Sequence, residues 1–148
     1  MIITSPPPTI LKPSGCLFLG QNQNNLPIDV WTDVELNTIS SGFTDGIEDT
    51  VNHKITPGVA GLFLLIGRIS FVEIIGDYEY GCAIELNGGG TLIENWGHSS
   101  LEADLNVCCT MIHWLTNTDY IKLQAYNGGN AATVDVKQVS GLSVARLR

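Results

Sequence analysis

The segment Leu62–Val72 constrains the fold of this chain more than any other part of its sequence. Every odd-numbered position in it is apolar or glycine, which is the two-residue period of a β-strand. The even-numbered positions begin with Leu62, Leu64 and Ile66 and turn polar at Arg68. One face of the predicted strand therefore belongs to the core along its whole length. The other face is apolar only over its first half.

The residues before this strand predict a tight corner. Pro57 fixes its own φ and has no backbone donor, so it suits a position where no sheet hydrogen bond is needed. Gly61 allows close approach to a neighbouring strand. The chain is thus expected to turn at Pro57 and to enter its most hydrophobic strand directly.

Turn residues divide the rest of the chain into short strand-like runs. Asn87-Gly88-Gly89-Gly90 and Thr116-Asn117-Thr118-Asp119 each predict the turn of a hairpin. The two predicted strand pairs are Tyr80–Leu86 with Thr91–Trp96, and Val107–Leu115 with Tyr120–Tyr126. No apolar series with helical spacing extends beyond two turns. About eight to ten strands, with a turn every 8 to 12 residues or so, predict an all-β sandwich or barrel.

The start of the chain differs from the rest in its proline content. Residues 1 to 15 contain most of the six prolines, and proline cannot take part in a sheet interior. The predicted organisation is an extended N-terminal arm over residues 1–15 and a single β-sandwich head over residues 16–148.

Charge and hydropathy exclude two classes of partner. The net charge is −8, and the 7 lysines and arginines do not cluster, which argues against a nucleic-acid-binding surface. The longest nearly apolar run, Gly58–Ile66, falls well short of the roughly 20 residues that a membrane span needs. The first residues lack the basic start and apolar block of a signal peptide, so we expect synthesis in a cytoplasm without export.

The histidines and cysteines do not form a recognisable catalytic or metal-binding pattern. His53, His98 and His113 lack the spacing of metal ligands, and the four cysteines include no Cys-x-x-Cys pair. The adjacent Cys108 and Cys109 are expected to place one thiol on each face of a strand. We therefore predict no catalytic residues, no metal site, no cofactor and no enzymatic activity.

Two loops contain residue types that occur in ligand sites. The run Asp45-Gly46-Ile47-Glu48-Asp49 offers carboxylates to a hard cation such as calcium, but it lacks the alternating order of a dedicated calcium loop. A solvated acidic loop is the alternative. Gly88-Gly89-Gly90 is followed by neither a lysine nor a helix, so it is interpreted as a turn and not as a phosphate-binding loop.

Three motifs, in order along the chain, resemble those of a known family. They are Ile55-Thr56-Pro57-Gly58-Val59-Ala60-Gly61-Leu62-Phe63, Asp119-Tyr120-Ile121-Lys122-Leu123, and Ser140-Gly141-Leu142-Ser143-Val144. They are similar to the Ala-Pro lead-in, the Gly-Asp-x-Val-x-Leu strand and the closing Ser-Gly-Phe strand of the jelly-roll superfamily of tumour necrosis factor and complement-type globular heads. Thr56, Thr118 and Leu142 depart from the family's alanine, glycine and aromatic residue.

The resemblance implies an antiparallel jelly-roll sandwich in which each protomer buries one sheet against its partners, usually as a homotrimer. The expected interface residues are apolar positions that point away from the core: Leu62, Leu64, Ile66, Tyr120 and Tyr126. The alternative is that a covering loop of the same chain buries these positions.

Fold does not fix function in this family, so the arm guides the functional prediction. A short arm on a small trimeric head suits a phage capsid decoration protein, located on the virion exterior and bound to the major capsid protein. The residues expected to dock the arm are Ile2, Ile3, Pro6, Pro7, Pro8, Ile10 and Leu11. The alternatives are the receptor-binding or fibre-tip head of a phage and a secreted trimeric ligand-like module.

Overall fold

A computed structural model describes residues 14–44, 47–74, 76–100, 104–129 and 134–148, with the backbone alone for 41–44. Its strands are β1 (Ser14–Phe18), β2 (Trp31–Asp33), β3 (Thr38–Thr44), β4 (Glu48–Asp49), β5 (Lys54–Ile55), β6 (Gly61–Val72), β7 (Tyr78–Leu86), β8 (Gly90–Ser99), β9 (Leu105–Leu115), β10 (Ile121–Asn127), β11 (Asp135–Val136) and β12 (Gly141–Arg146). No helix long and apolar enough to span a membrane occurs among these described residues.

The strands form two antiparallel sheets. The first, called here the β6 sheet, has the order β3-β1-β12-β6-β9, and β11 pairs with the far end of β6. The second, the β7 sheet, has the order β4-β5-β10-β7-β8, and β2 pairs with β10. Each sheet has one face against the other, so the predicted all-β antiparallel jelly-roll sandwich is confirmed.

The core lies between the inner faces of the two sheets. Phe63, Leu65, Ile69 and Phe71 of β6 are fully buried, as the two-residue period predicts. Across from them, Phe71 packs against Tyr80 of β7 with ring centroids 5.4 Å apart. Full burial of one such side chain stabilises the fold by about 1.5–3 kcal/mol relative to exposure, so this layer contributes to holding the sheets together.

Gly67 sets the closest approach between the sheets near the middle of β6. A Cβ atom at this position would lie 2.7 Å from Leu123 Cδ1 and 3.0 Å from Cys109 Sγ. The glycine in the predicted core face of β6 is therefore required for sheet-to-sheet contact.

The predicted corner before β6 is present. Gly58 has a φ of +71°, a left-handed value that favours glycine, and Pro57 beside it is buried. The predicted hairpin of β7 and β8 is also present, with Leu86 paired to Gly90 at its turn.

The second predicted hairpin is wrong. β9 pairs with β6 and β10 pairs with β7, so the turn at 116–119 carries the chain from one sheet to the other. Asp119 anchors this crossing: its carboxylate accepts hydrogen bonds from Asn87 Nδ2 and from the Thr116 backbone N–H, each at 2.7 Å. A turn signal fixes where a strand ends but not which strand the next one joins.

Candidate functional site

The outer face of the β6 sheet carries exposed apolar side chains on two neighbouring strands. Leu62 is paired with Trp114 and Leu64 with Ile112, and Ile66 follows on β6. The exposed fraction is 57% for both Trp114 and Ile112 and 39% for Ile66. These five residues are called the β6–β9 face below. The sequence predicted its β6 half; the β9 half was missed, although Ile112 and Trp114 alternate with the inward-pointing residues of their strand.

A shallow apolar groove adjoins this face. It has a volume of about 250 Å³ and lies between β6, β12 and β1, with Leu64, Ile66 and Ala145 among its lining residues. Cys16 also lines it, and its Sγ lies 2.9 Å from Ser143 Oγ. Burial raises the pKa of the Cys16 thiol, which keeps it protonated and unsuited to act as a nucleophile.

The two predicted interface tyrosines lie on the other sheet, away from Leu62, Leu64 and Ile66. Tyr120 immediately precedes β10, and Lys54 Nζ lies 4.6 Å from the centre of its ring. Tyr126 lies on β10 itself, on the outer face of the β7 sheet. The structure thus brings together only the β6 members of the predicted set.

Tyr126 belongs to an aromatic patch, defined here as Trp31, Trp96 and Tyr126. The centroids of its rings are 5.3 Å apart for Trp31–Trp96, 5.4 Å for Trp31–Tyr126 and 5.1 Å for Trp96–Tyr126. The register explains the cluster, because Tyr126 is paired with both Trp31 and Gly81, and Gly81 is paired with Trp96. A Cβ at Gly81 would lie 2.5 Å from Trp31 Cη2, so only glycine lets the indole cover β7 there.

An acidic groove runs beside the aromatic patch. It has a volume of about 420 Å³, and its lining includes Asp29, Asp77, Glu79, His98 and the Tyr126 ring. The Tyr126 hydroxyl donates a hydrogen bond to Asp29 Oδ1 at 3.1 Å, and this bond raises the pKa of the phenol. No sequence pattern predicts this groove, because its acidic residues come from separate parts of the chain.

A hydrogen-bonded polar network covers the next part of the same face. Lys122 Nζ lies 2.6 Å from Asp33 Oδ2, and Gln124 Nε2 donates to Asp33 Oδ1 at 3.0 Å and to Glu85 Oε2 at 3.1 Å. Burial acts to raise the pKa of Asp33, but the hydrogen bonds from Lys122 and Gln124 outweigh it and hold that pKa below its usual value. Burial and the nearby charge of Asp33 raise the pKa of Glu85.

The cysteines and histidines do not converge on a reactive centre in the described residues. Cys82 and Cys109 face each other in the core with their Sγ atoms 3.5 Å apart, and this hydrogen bond together with burial raises the pKa of Cys82. Cys108 is exposed on the opposite side of β9. No group of three or more His, Cys, Asp or Glu placed to hold a metal ion occurs in the described parts of the chain.

Two predictions fall wholly or partly outside the described residues. The arm residues Ile2, Ile3, Pro6, Pro7, Pro8, Ile10 and Leu11 all lie there, and so do Asp45 and Gly46 of the acidic loop. The described carboxylates of that loop already accept backbone hydrogen bonds: Glu48 from Ile47 and Cys16, and Asp49 from Val51 and Asn52. The prediction of a solvated acidic loop, with calcium binding as its alternative, is not tested, because Asp45 and Gly46 lie outside the described residues.

Comparison with solved structures identifies the architecture. The Eiger TNF of S. frugiperda matches with a TM-score of 0.72 at 9% identity, over 91% of this chain and 92% of that one. The globular domain of the zebrafish complement 1qA protein matches with a TM-score of 0.70 at 11% identity, over 93% and 98%. The fold is that of the tumour necrosis factor and complement heads. Murine APRIL shares this jelly-roll head fold with a TM-score of 0.67 at 14% identity, over 90% and 98%.

At these identities the likeness shows the fold alone. No protein-family model matches the sequence, and no curated protein matches it either. What the jelly-roll head does must therefore be argued from its own surfaces.

Proposed function

We propose that this protein is a non-enzymatic structural head that assembles as a homotrimer through the β6–β9 face and decorates the exterior of a phage capsid. The observation that carries the assembly is the cross-strand alignment of large exposed apolar side chains on β6 and β9. Self-association removes this surface from water without requiring any other partner.

The energetics favour a partner over exposure. Trp114 and Ile112 are each 57% exposed, and full burial of side chains of this size is worth about 1.5–3 kcal/mol each. The adjoining groove extends the contact toward β12 and β1. A stable interface buries about 800 Å² per partner.

The choice of a trimer rests on the resemblance of the chain to the jelly-roll heads. In a threefold ring each copy contacts one neighbour through one patch and the other neighbour through a second patch, and assembly stops at three copies because the rotation closes the ring. The β6 sheet would then face the symmetry axis, and the β7 sheet would face outward.

The capsid role rests on the arm. Ser14 and Gly15, the last two residues of the predicted arm 1–15, are the first residues of β1 and pair with β12. β1 is one strand away from β6 across β12, so the chain enters the head beside the proposed subunit contact. Ile2-Ile3 and Ile10-Leu11 supply two apolar anchors, and Pro6, Pro7 and Pro8 form a stiff spacer between them that lowers the entropy lost on docking. The proposed partner of the arm is the major capsid protein.

Sedimentation velocity at micromolar concentration tests the assembly. The parent should sediment as a trimer, and Ile112→Asp should sediment as a folded monomer because each copy would bring a charge into the buried face. Val51→Asp is the matched control, since Val51 is 81% exposed in the turn between β4 and β5. A monomeric parent, or a trimeric Ile112→Asp variant, would contradict the proposal.

Co-sedimentation with undecorated capsid particles tests the docking role separately. Replacing residues 2–13 with a Gly/Ser segment of the same length should leave the head trimeric and lower its occupancy on the particles. Equal occupancy of parent and variant would show that the arm does not dock the head on the capsid. A parent that is trimeric but does not bind would overturn the capsid role and leave the assembly standing.

A further inference from the structure

The aromatic patch on the β7 sheet is independent of the β6–β9 face. It lies on the outer face of the opposite sheet, so assembly through β6 and β9 leaves it open to solvent. Trp96 is 40% exposed there, and the Trp31 and Tyr126 rings are partly exposed beside it. A patch of this kind offers ring faces to a further partner.

The rings form one continuous platform. They come from three strands, β2, β10 and β8, and they meet above Gly81 of the central strand β7. Because the rings contact one another, no ligand fits between them. A ligand must lie across them, where the negative π faces of the indole and phenol rings attract a cation.

Two carboxylates accept hydrogen bonds from the rings of the platform. Asp29 Oδ1 accepts a hydrogen bond from the Tyr126 hydroxyl, and Glu94 Oε1 accepts one from Trp96 Nε1 at 3.3 Å. Asp77 and Glu79 line the adjacent acidic groove together with Asp29. Its other titratable lining groups are Tyr78, His98 and Tyr126, and no lysine or arginine is among its described lining residues.

We propose that the aromatic patch and the acidic groove together bind an arginine side chain presented by a partner protein. A guanidinium is planar, so it stacks on an indole ring while its N–H groups point sideways to carboxylates. A lysine ammonium carries the same positive charge, so the carboxylates attract it, but it lacks a flat surface for stacking on the rings. A neutral sugar stacks but gains nothing from the carboxylates.

An NMR titration tests the proposed arginine site, with the capped tripeptide acetyl-Gly-Arg-Gly-amide as the probe. The protein has 3 tryptophans, and Trp114 lies on the other sheet, so its indole N–H is an internal control for folding and for non-specific binding. Millimolar peptide at low salt should shift the Trp31 and Trp96 indole signals and leave the Trp114 signal in place. The citrulline tripeptide, which has the same shape and no charge, should produce no shift.

Two variants assign the binding to the proposed groups. Trp96→Ala should abolish the shift at Trp31, and Asp29→Asn should weaken peptide binding about fivefold, because one carboxylate partner of the cation is lost. Asparagine tolerates the positive φ of 57° at position 29, so the backbone is preserved. Glu35→Gln, which removes an exposed charge elsewhere, should bind like the parent.

Three outcomes would overturn the proposal. They are the absence of shifts at Trp31 and Trp96 in the folded parent, equal shifts with the citrulline peptide, and stronger binding of a neutral methyl glucoside than of the arginine peptide. The result does not depend on the oligomeric state, so its failure is distinguishable from failure of the trimer.

Discussion

The outer faces of the two sheets differ in how far side chains of the same protomer cover them. On the β7 sheet, polar side chains bond to one another and the aromatic rings close over the central strand. On the β6 sheet, Ile112 and Trp114 stand exposed beside Leu64 and Leu62. The side chains on the outer face of the β7 sheet mostly have partners within the protomer. The outer face of the β6 sheet leaves apolar area that a neighbour could cover.

The difference comes from the size of the residues on the central strands. β7 presents Gly81 and Ala83 outward, and these small positions leave room for neighbouring side chains to lie over the strand. β6 presents the large side chains Leu62, Leu64 and Ile66 outward, and they do not leave the room over the strand that Gly81 and Ala83 leave over β7. Two strands with the same two-residue period therefore produce different surfaces. The size of their outward side chains determines how far the neighbouring strands' side chains can cover them.

Gly81→Val should have the largest effect of the variants that test this difference between the sheets. The new side chain would meet Trp31 Cη2 and Tyr126 Cβ, which lie 2.5 Å and 3.1 Å from the Cβ position, and it would push the rings off β7. We expect a loss of about 2–3 kcal/mol in the free energy of unfolding, measured by denaturant titration. Gly89→Val, at a turn position with no atom within 4 Å, is the control and should cost far less. Equal losses in the two variants would show that the platform does not depend on Gly81.

Gly61→Val perturbs the start of β6 and should have a smaller effect. A Cβ at Gly61 would lie 2.6 Å from the Arg148 carbonyl oxygen and 2.7 Å from Arg146 Nε. The Arg146 side chain is flexible, so its movement can relieve part of this crowding. We expect a loss of about 1–2 kcal/mol in the free energy of unfolding. A variant that melts within a degree of the parent would show that this close approach carries no cost.

Asp33→Asn tests the polar network of the β7 sheet through its pH dependence. The folded pKa of Asp33 lies below its unfolded value, so its stabilisation is present above about pH 4 and is lost as the pH falls through the folded pKa. The pair with Lys122 is partly exposed, so the variant should lose at most about 1 kcal/mol at pH 7 and less at pH 2. Urea unfolding at both pH values measures the difference.

Asp104→Asn is the control for that measurement. Asp104 pairs with Lys137 at 2.9 Å, but both side chains are more exposed than those of the Asp33 pair. Its replacement should change stability little at either pH. A pH-independent effect of Asp33→Asn would show that the hydrogen bonds of the network do not lower the pKa of Asp33.

Local patterns predicted those parts of the structure that depend on local chemistry. The corner at Pro57, the core face of β6 and the hairpin of β7 and β8 follow from proline and glycine geometry and from the two-residue period. The 116–119 turn shows the limit: its position was predicted, but its role as a crossing between the sheets was not.

Tyr126 shows the same limit within the candidate site. Its alternation with the buried residues Leu123 and Ala125 of the same strand correctly predicted that it points away from the core. The alternation could not tell that this outward face belongs to a different sheet from Leu62, Leu64 and Ile66. Nor could it place Trp31 and Trp96 beside the tyrosine, because they approach across strand pairs that are distant in sequence.

The sequence by itself determined that the chain forms strands, where its corner lies and which side of β6 and of β10 is buried. These properties depend on φ restrictions and side-chain period, which act over a few neighbouring residues. The tertiary structure alone decided which strands pair, and therefore which exposed side chains meet. Pairing joins residues far apart in the chain and is selected by the packing of the whole core, so the β6–β9 face and the aromatic patch exist only once the two sheets are assembled.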